Sequence, residues 1–280
     1  DDRGEFIDLE PDPRHAKLIT SEVGFDDKSK ALTTPREKLK DELVVQGIKS
    51  KKLIGAEAKR DRAACRRLSY WAQDRLDLVE SAKCAAQRMA SPTEFDWQPL
   101  KRVARYLLGR PRAAIRFRWQ PEVKQINVYV DSDYAGDPIS RKSTTGLVAM
   151  AGTHMLKCSS TLQSLTALSV GEAEFYAVVK GGAVGLSLKA IYEDLGKKVD
   201  VEIDSDSTTA GSLADRLGVG QRTKHIQTRF LWVQERVQDR DLKVKKVHTS
   251  KNVADIATKP VSRQVLDRHC EAARLTFAKV

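Results

Sequence analysis

The sequence contains few cysteines and no cysteine motif. Its four cysteines are widely spaced and no two form a CxxC pair; they are Cys65, Cys84, Cys158 and Cys270. Structural zinc sites and disulfide frameworks need closely grouped or regularly spaced cysteines, so the pattern argues against both. We therefore expect reduced, buried thiols, as in an intracellular protein.

Long apolar runs are missing as well. No uninterrupted apolar stretch is long enough to span a bilayer, and the opening residues DDRGEFIDLEPDP are acidic and polar, unlike a secretory signal. The sequence shows no internal repeat and no low-complexity tract. With 41% hydrophobic and 31% charged residues, the chain is predicted to be a soluble globular protein with no membrane partner.

Positive charge, by contrast, is abundant. Among 280 residues, 49 Lys and Arg stand against 38 Asp and Glu, which gives a formal net charge of +11. This balance suits a polyanionic partner such as nucleic acid. It suits a solubilising surface equally well, so the charge alone leaves both interpretations open.

Periodicity and turn signals divide the chain into three parts. Residues 1–55 are predicted to be partly irregular, with a short helix after Pro13. Residues 56–121 have apolar residues at helical spacing and are predicted to form a helical connector, whose last helix begins with Ser91 as N-cap and ends near Gly109. The basic residues of the connector either follow a phosphate backbone or form a solvated helix face. They are Arg60, Arg62, Arg66, Arg67, Lys101, Arg102, Arg105, Arg110 and Arg112.

The third part, residues 122–280, alternates strands with helices. Three strands come first, INVYVD, TTGLVAMAG and MLKCSST, with a turn at Gly152-Thr153-His154 between the last two. A long helix at 169–196 and a strand KVDVEIDSD follow, and after them come two helices, STTAGSLADRL and TKHIQTRFLWVQERVQD (223–239). A strand LKVKKVHT and a helix at NVADIATKPV complete this part. This order predicts a mixed sheet flanked by helices, which is a layered α/β architecture.

Acidic residues stand where several of these elements begin or end. Asp131 closes the first strand of the third part, and the strand at 199–206 ends with Asp204 and Asp206 on the same predicted face. The last predicted helix carries Asp255. Each of these acids alone is also typical of an ordinary turn or cap, which is the better interpretation of Asp133 and Asp137.

The long helix adds one further acid to this set. It opens with Glu172 and Glu174, which are two residues apart and cannot share a helix face. Glu174 has apolar residues at i+3 and i+4, so we expect it on the face that packs on the sheet. Converging carboxylates need a counter-charge, and hard oxygen ligands suit Mg²⁺ or Mn²⁺. Two such ions about 4 Å apart would clamp the attacking and leaving oxygens of a phosphodiester.

Six strings around these acids resemble those of one known family. They are VDSDYAGD, RKSTTG, LSVGEAEFYA, DSTTA, RTKHI and ADIATKP, in the family's order. The sequence from about residue 56 to residue 262 is similar to the copia-type (Ty/copia) retrotransposon Pol polyproteins, where the end of the reverse transcriptase meets the ribonuclease H domain. The resemblance implies that the sheet is ribonuclease H-like, with five strands.

The resemblance also implies a reaction and its residues. It implies that Asp131, Glu174, Asp206 and Asp255 are catalytic and hold two Mg²⁺ ions, with Mn²⁺ as a substitute. Asp131 would bridge both ions, Glu174 and Asp206 would bind one of them, and Asp255 would bind the other. The implied reaction is endonucleolytic hydrolysis of the RNA strand of RNA/DNA hybrids. Asp206 suits the family spacing better than Asp204, which stays open as the alternative.

Two of the strings, RKSTTG and RTKHI, supply candidate contacts to nucleic acid. These are Arg141, Lys142, Ser143, Arg222, Lys224 and His225. The implied partners are the hybrid and the rest of the polyprotein, including the reverse transcriptase. The implied location is intracellular, in a cytoplasmic reverse-transcribing particle or in the nucleus.

The sequence departs from the family at a few points. Tyr134 stands where the family usually has Trp, and the polymerase's Tyr-x-Asp-Asp string is absent, so the fragment is not expected to polymerise. His248 lies seven residues before Asp255, where it either assists product release or is a surface residue. Two other interpretations remain: a catalytically inactive, hybrid-binding remnant, and an integrase-like nuclease, which the missing zinc-binding module disfavours.

Overall fold

The computed structural model describes residues 4–26 and 28–278, and it describes the backbone but not the side chain of Arg222. The N-terminal half is mainly helical. Its helices are α1 (Arg14–Val23), α2 (Asp41–Gly47), α3 (Gly55–Trp71), α4 (Val79–Ala86) and α5 (Trp97–Gly109). A helix follows Pro13 as predicted, and α3, α4 and α5 occupy much of the range 56–109, where apolar spacing predicted helices. In the described ranges, no helix is both long and apolar enough to cross a bilayer.

The C-terminal half is built on a five-stranded sheet. Its strands are β3 (Gln125–Asp133), β4 (Thr144–Ala151), β5 (His154–Leu162), β6 (Asp200–Ser205) and β7 (Lys243–Lys246). They lie in the order β5-β4-β3-β6-β7, with β3, β4 and β5 antiparallel and with β6 and β7 parallel to β3. The mixed sheet predicted from the order of elements is therefore confirmed.

Helices cover both faces of this sheet. The C-terminal half contributes α6 (Val170–Asp194), α7 (Thr208–Asp215), α8 (Trp232–Gln238) and α9 (Arg263–Ala272). Helix α6 packs closely on β3 and β6 at Gly181. A Cβ at this position would lie only 2.7 Å from Val130 Cγ1, so a larger residue would not fit without a shift. The other face, with Val148 and Met150, shares a buried core with connector residues such as Trp71 and Leu107. The connector therefore belongs to the same packed body as the sheet.

A second, three-stranded sheet was not predicted. It joins β1 (Phe6–Leu9), β2 (Ala113–Arg118) and β8 (Leu275–Phe277) in the order β1-β2-β8, with both pairs antiparallel. Its three strands come from the three parts into which the sequence was divided. The division at residues 55 and 121 stays a prediction, and the small sheet ties all three parts together.

Several local expectations were wrong. Strand β3 runs two residues past Asp131, because its antiparallel pairing with β4 continues to Asp133↔Thr144. The residue that caps the turn before α5 is Thr93, paired reciprocally with Asp96, and not Ser91. The predicted helix at 223–239 is reduced to short 3₁₀ turns and α8, and β1, α9 and β8 were not predicted at all.

The connector contains a buried carboxyl group, Asp61, whose pKa is raised. Asp61 is 1% exposed, and its Oδ1 has no hydrogen-bond partner among the described residues. Burial, with a further contribution from Asp96, raises its pKa from 3.8 to about 6. A carboxyl with a raised folded-state pKa stabilises the fold below its unfolded pKa, and this stability is lost as the pH rises through the folded pKa.

We therefore expect Asp61→Asn to stabilise the protein above pH 6. The free energy of unfolding at pH 7.5 should rise by about 2 kcal/mol, and it should not rise at pH 3.5. Urea unfolding of both proteins at a series of pH values measures this. Glu57→Gln, which removes an exposed acid from the same helix, is the control and should change little. An equal effect of Asp61→Asn at both pH values would contradict the assignment.

Candidate active site

The site lies where two strands of the large sheet separate. Strand β3 pairs with β6 in parallel only as far as Tyr129↔Asp204, although its pairing with β4 continues. Beyond this point the two parallel strands diverge at their carboxyl ends. Asp131, in β3, and Asp206, directly after β6, both lie beyond the last paired residues of these two strands.

Helix α6 brings the third acid to this gap. Ser169 caps the helix, with its Oγ accepting the Glu172 N–H at 3.2 Å, and Glu174 lies in the first turns. One carboxylate oxygen each from Asp131, Glu174 and Asp206 lies within 4.8 Å of the other two. Asp131 and Glu174 are each 5% exposed, and Asp206 is half-buried. We call these three residues the acidic triad.

The acidic triad lacks sufficient positive charge of its own. Burial raises the pKa of Asp131, and the charges of Asp255 and Asp206 raise it further. Burial and then the charges of Asp131 and Asp206 raise the pKa of Glu174 to about 9. Glu174 Oε2 is buried with no hydrogen-bond partner among the described residues. A buried carboxylate oxygen without a donor, beside two more carboxylates, fits a hard divalent cation such as Mg²⁺ or Mn²⁺.

Asp255 lies beside the triad but does not join it. It belongs to a 3₁₀ segment, Val253–Ala257, and is close enough for its charge to raise the pKa of Asp131. Its Oδ1 forms an ion pair with Lys259 Nζ at 2.6 Å. The structure therefore brings together three of the four predicted metal ligands and holds the fourth in an ion pair next to them.

The two acids weighed as alternatives are used elsewhere. Asp204 is 4% exposed and accepts a hydrogen bond from Asn127 Nδ2 at 2.8 Å, away from the triad. Glu172 is also buried, and it accepts hydrogen bonds from Tyr176 Oη at 2.6 Å and from the Leu168 N–H at 2.9 Å. The geometry thus favours Asp206 over Asp204 and Glu174 over Glu172.

Sequence reasoning missed the residues that support Asp131. Thr258 Oγ1 donates to Asp131 Oδ2 at 2.6 Å and fixes the orientation of that carboxylate. Asn252 Nδ2 donates to the Val130 carbonyl at 2.9 Å and so ties the 3₁₀ segment to β3. Thr258 lies within the string ADIATKP, which was the available signal. The contact itself spans 127 residues and has no local pattern.

The candidates for nucleic-acid binding in the β3–β4 loop differ in exposure. Arg141 is exposed, has φ of 56° and lies 3.6 Å from Asp41 in an ion pair. Lys142 is half-buried. Ser143 is 0% exposed, and its Oγ accepts the Ala135 N–H at 3.1 Å, so it holds the loop and does not offer its hydroxyl to a ligand.

The candidates in the string RTKHI lie across α6. The side chain of Arg222 is outside the described residues, and Lys224 is exposed. His225 is 40% exposed at its side chain, and its Nε2 lies 2.8 Å from Glu172 Oε2. This contact and the burial of Ile226 hold the segment against α6, where 3₁₀ turns replace the first part of the predicted helix. His248, by contrast, is exposed and contacts Ser250.

Many of the connector's basic residues are engaged within the chain. Arg62 donates to the carbonyl groups of Met89 and Ala90, and Arg112 pairs with Glu10 at 2.7 Å. Arg60, Arg102, Arg105 and Arg110 also make contacts inside the protein. These residues support the packing of the connector, which neither of the two sequence interpretations had included.

A groove beside the connector ends at residues 258–260, next to the acidic triad, although none of the three triad acids lines it. It has a volume of about 800 Å³ and is bounded by segment 25–47, by α4 and α5, and by residues Thr258 to Pro260 beside the site. Eight basic and five acidic residues line it, so its wall is net positive. The basic ones are Arg36, Lys38, Lys83, Arg88, Lys101, Arg102, Arg105 and Lys259.

The order and directions of the five strands, with α6 on one face, confirm the ribonuclease H-like architecture expected from the sequence. Among solved structures, LC11-RNase H1 from compost is similar, with 16% identity, a TM-score of 0.36, and 52% of this chain and 97% of that chain covered. No protein-family model matches the chain.

Comparison with curated proteins identifies the family. The retrovirus-related Pol polyprotein from transposon TNT 1-94 of Nicotiana tabacum is 33% identical over 190 residues, which are 68% of this chain and 14% of that protein. The one from transposon RE2 of Arabidopsis thaliana is 32% identical over 198 residues, which are 70% and 14%. The chain belongs to the copia-type retrotransposon Pol polyproteins, and it spans about 14% of the length of these relatives.

Proposed function

We propose that this chain is the ribonuclease H of a retroelement, which hydrolyses the RNA strand of RNA/DNA hybrids with two divalent metal ions. The observation that carries the proposal is the acidic triad, in which three carboxylates converge and Glu174 Oε2 is buried with no hydrogen-bond partner among the described residues. Membership of the Pol polyprotein family supports the same conclusion.

Each acid has its own part in this proposal. Asp131, whose carboxylate accepts a hydrogen bond from Thr258, would contact both ions, and Glu174 and Asp206 would hold one of them. Asp255 would hold the other after leaving Lys259. When bound, the two ions activate a water molecule and stabilise charge on the leaving oxygen. The products would carry 5′-phosphate and 3′-hydroxyl ends.

The groove is the proposed path of the hybrid. Its net positive wall includes Lys259, which is paired with Asp255, and phosphate contacts along this wall would position the duplex without reading its sequence. Discrimination for RNA would come from contacts with 2′-hydroxyl groups. The remaining polyprotein, including the reverse transcriptase, would be the other partner, in an intracellular particle or in the nucleus.

The test is cleavage by the whole chain in Mg²⁺. A hybrid with labelled RNA, the same hybrid with labelled DNA, and a DNA duplex are incubated with the protein, with and without EDTA. We expect metal-dependent cleavage of the RNA strand alone. A folded chain that binds the hybrid but leaves the RNA intact would overturn the proposal and would instead indicate a hybrid-binding remnant. Cleavage of the DNA duplex would indicate a nuclease of another specificity.

A further inference from the structure

Lys259 forms an ion pair with Asp255, and its charge also acts on two acids of the triad, Asp131 and Glu174. Its Nζ lies 2.6 Å from Asp255 Oδ1, one helical turn away along the chain. Its charge also offsets part of the rise that burial causes in the pKa values of Asp131, Asp133 and Glu174. One ammonium group therefore serves as a counter-charge for all of these carboxylates.

The position of Lys259 is fixed by its neighbours. The preceding residue, Thr258, donates to Asp131 Oδ2, and the following residue is Pro260, whose ring restricts the backbone. The side chain of Lys259 is 46% exposed and lies on the wall of the groove. It can therefore leave Asp255 for solvent without any change in the backbone.

We propose that Lys259 is an internal counter-cation that competes with a metal ion for Asp255 and thereby makes the second ion bind more weakly than the first. The inference rests on the proposed function. The triad, whose three oxygens already converge, would accept one ion without moving Lys259. Asp255 could coordinate only after its ion pair with Lys259 breaks. Lys259 thus acts as a positioning residue for Asp255, and it sets the order in which the two ions bind.

Metal binding tests this directly and does not depend on catalysis. Mn²⁺ binding to the whole metal-free chain is followed by the electron paramagnetic resonance signal of free Mn²⁺. In Lys259→Met, the affinity of the weaker Mn²⁺ site should rise about 3- to 5-fold, as expected when one partly exposed ion pair no longer competes. Lys259→Arg keeps the charge and should bind as the unaltered chain does. The matched control is Lys245→Met, which removes a lysine paired with Glu202 at 3.2 Å, away from the triad.

A second measurement separates competition from a general structural role. Thermal unfolding without metal should occur at a lower temperature in Lys259→Met, because the carboxylates lose their counter-charge. The rise in unfolding temperature on adding Mg²⁺ should then be larger than in the unaltered chain. A merely structural lysine would lower stability with and without Mg²⁺ alike.

The outcomes that overturn the inference are distinct. Equal Mn²⁺ affinities in the unaltered chain, Lys259→Met and Lys245→Met would show that Lys259 does not compete. Weaker hybrid binding with unchanged metal affinity would make Lys259 a phosphate contact instead. The proposed function itself fails if the unaltered chain binds no Mn²⁺, or if Asp131→Asn binds as much Mn²⁺ as the unaltered chain. The inference then fails with it.

Discussion

Replacement of Asp131 by Asn is expected to lower the rate of RNA cleavage by about a thousandfold. Asp131 is the acid that would contact both ions, and loss of several kcal/mol of transition-state stabilisation corresponds to about this factor. Stability should not fall, because Asp131 is a buried carboxylate whose pKa is raised by burial and by neighbouring acids. The measurements are single-turnover cleavage of a labelled hybrid in Mg²⁺ and thermal unfolding without metal.

The matched control for this variant is Asp204→Asn. Asp204 is also a buried acid near the end of a strand, but it accepts a hydrogen bond from Asn127 and is not part of the triad. We expect it to retain most of the activity, and hybrid binding should persist in both variants. The assignment of the site would be refuted if the rate of RNA cleavage fell in Asp204→Asn and stayed nearly unchanged in Asp131→Asn.

Replacement of Asp77 by Ala should cost about 3–5 kcal/mol of stability, as is usual when one partner of a buried ion pair is removed. Arg75 and Asp77 are both buried at 0% side-chain exposure. Arg75 donates to the two Asp77 oxygens at 2.9 and 2.8 Å, and Tyr106 Oη donates to Oδ2 at 2.8 Å. Without the carboxylate, a guanidinium group would remain in the core beside Trp71 with no counter-charge.

Urea unfolding of the whole chain measures this effect. Glu10→Ala is the control, because it breaks the Arg112 pair at 58% and 28% exposure and should cost less than about 1 kcal/mol. The double variant Arg75→Met with Asp77→Leu should recover most of the stability. A cost for Asp77→Ala as small as that of the control would show that this pair does not hold the connector together.

The strands of the large sheet could be predicted because their signals are local. The alternation in INVYVD and the turn at Gly152 are contained in a few residues, and the structure confirms both. Strands β1 and β8 could not be found in this way. They have four and three residues, and each is defined by pairing with β2, which lies more than a hundred residues away along the chain.

The site was predictable in part for the same reason. Glu174 follows from helical geometry, because residues 172 and 174 cannot share a face. The resemblance favoured Asp206 over Asp204 by its spacing, but the position of Asp206 beside Asp131 and Glu174 is seen only in the structure. Lys259 shares a helical turn with Asp255, yet its effect on Asp131 and Glu174 arises from the packing of the 3₁₀ segment against β3.

The most direct measurement of the central claim is the position of a metal ion in crystals of the whole chain soaked in Mn²⁺. The account predicts an anomalous-scattering peak coordinated by Asp131, Glu174 and Asp206, with a second, weaker peak between Asp131 and Asp255 at higher Mn²⁺ concentration. Manganese bound elsewhere, with the triad empty at millimolar concentration, would contradict the claim that these three carboxylates form one metal centre.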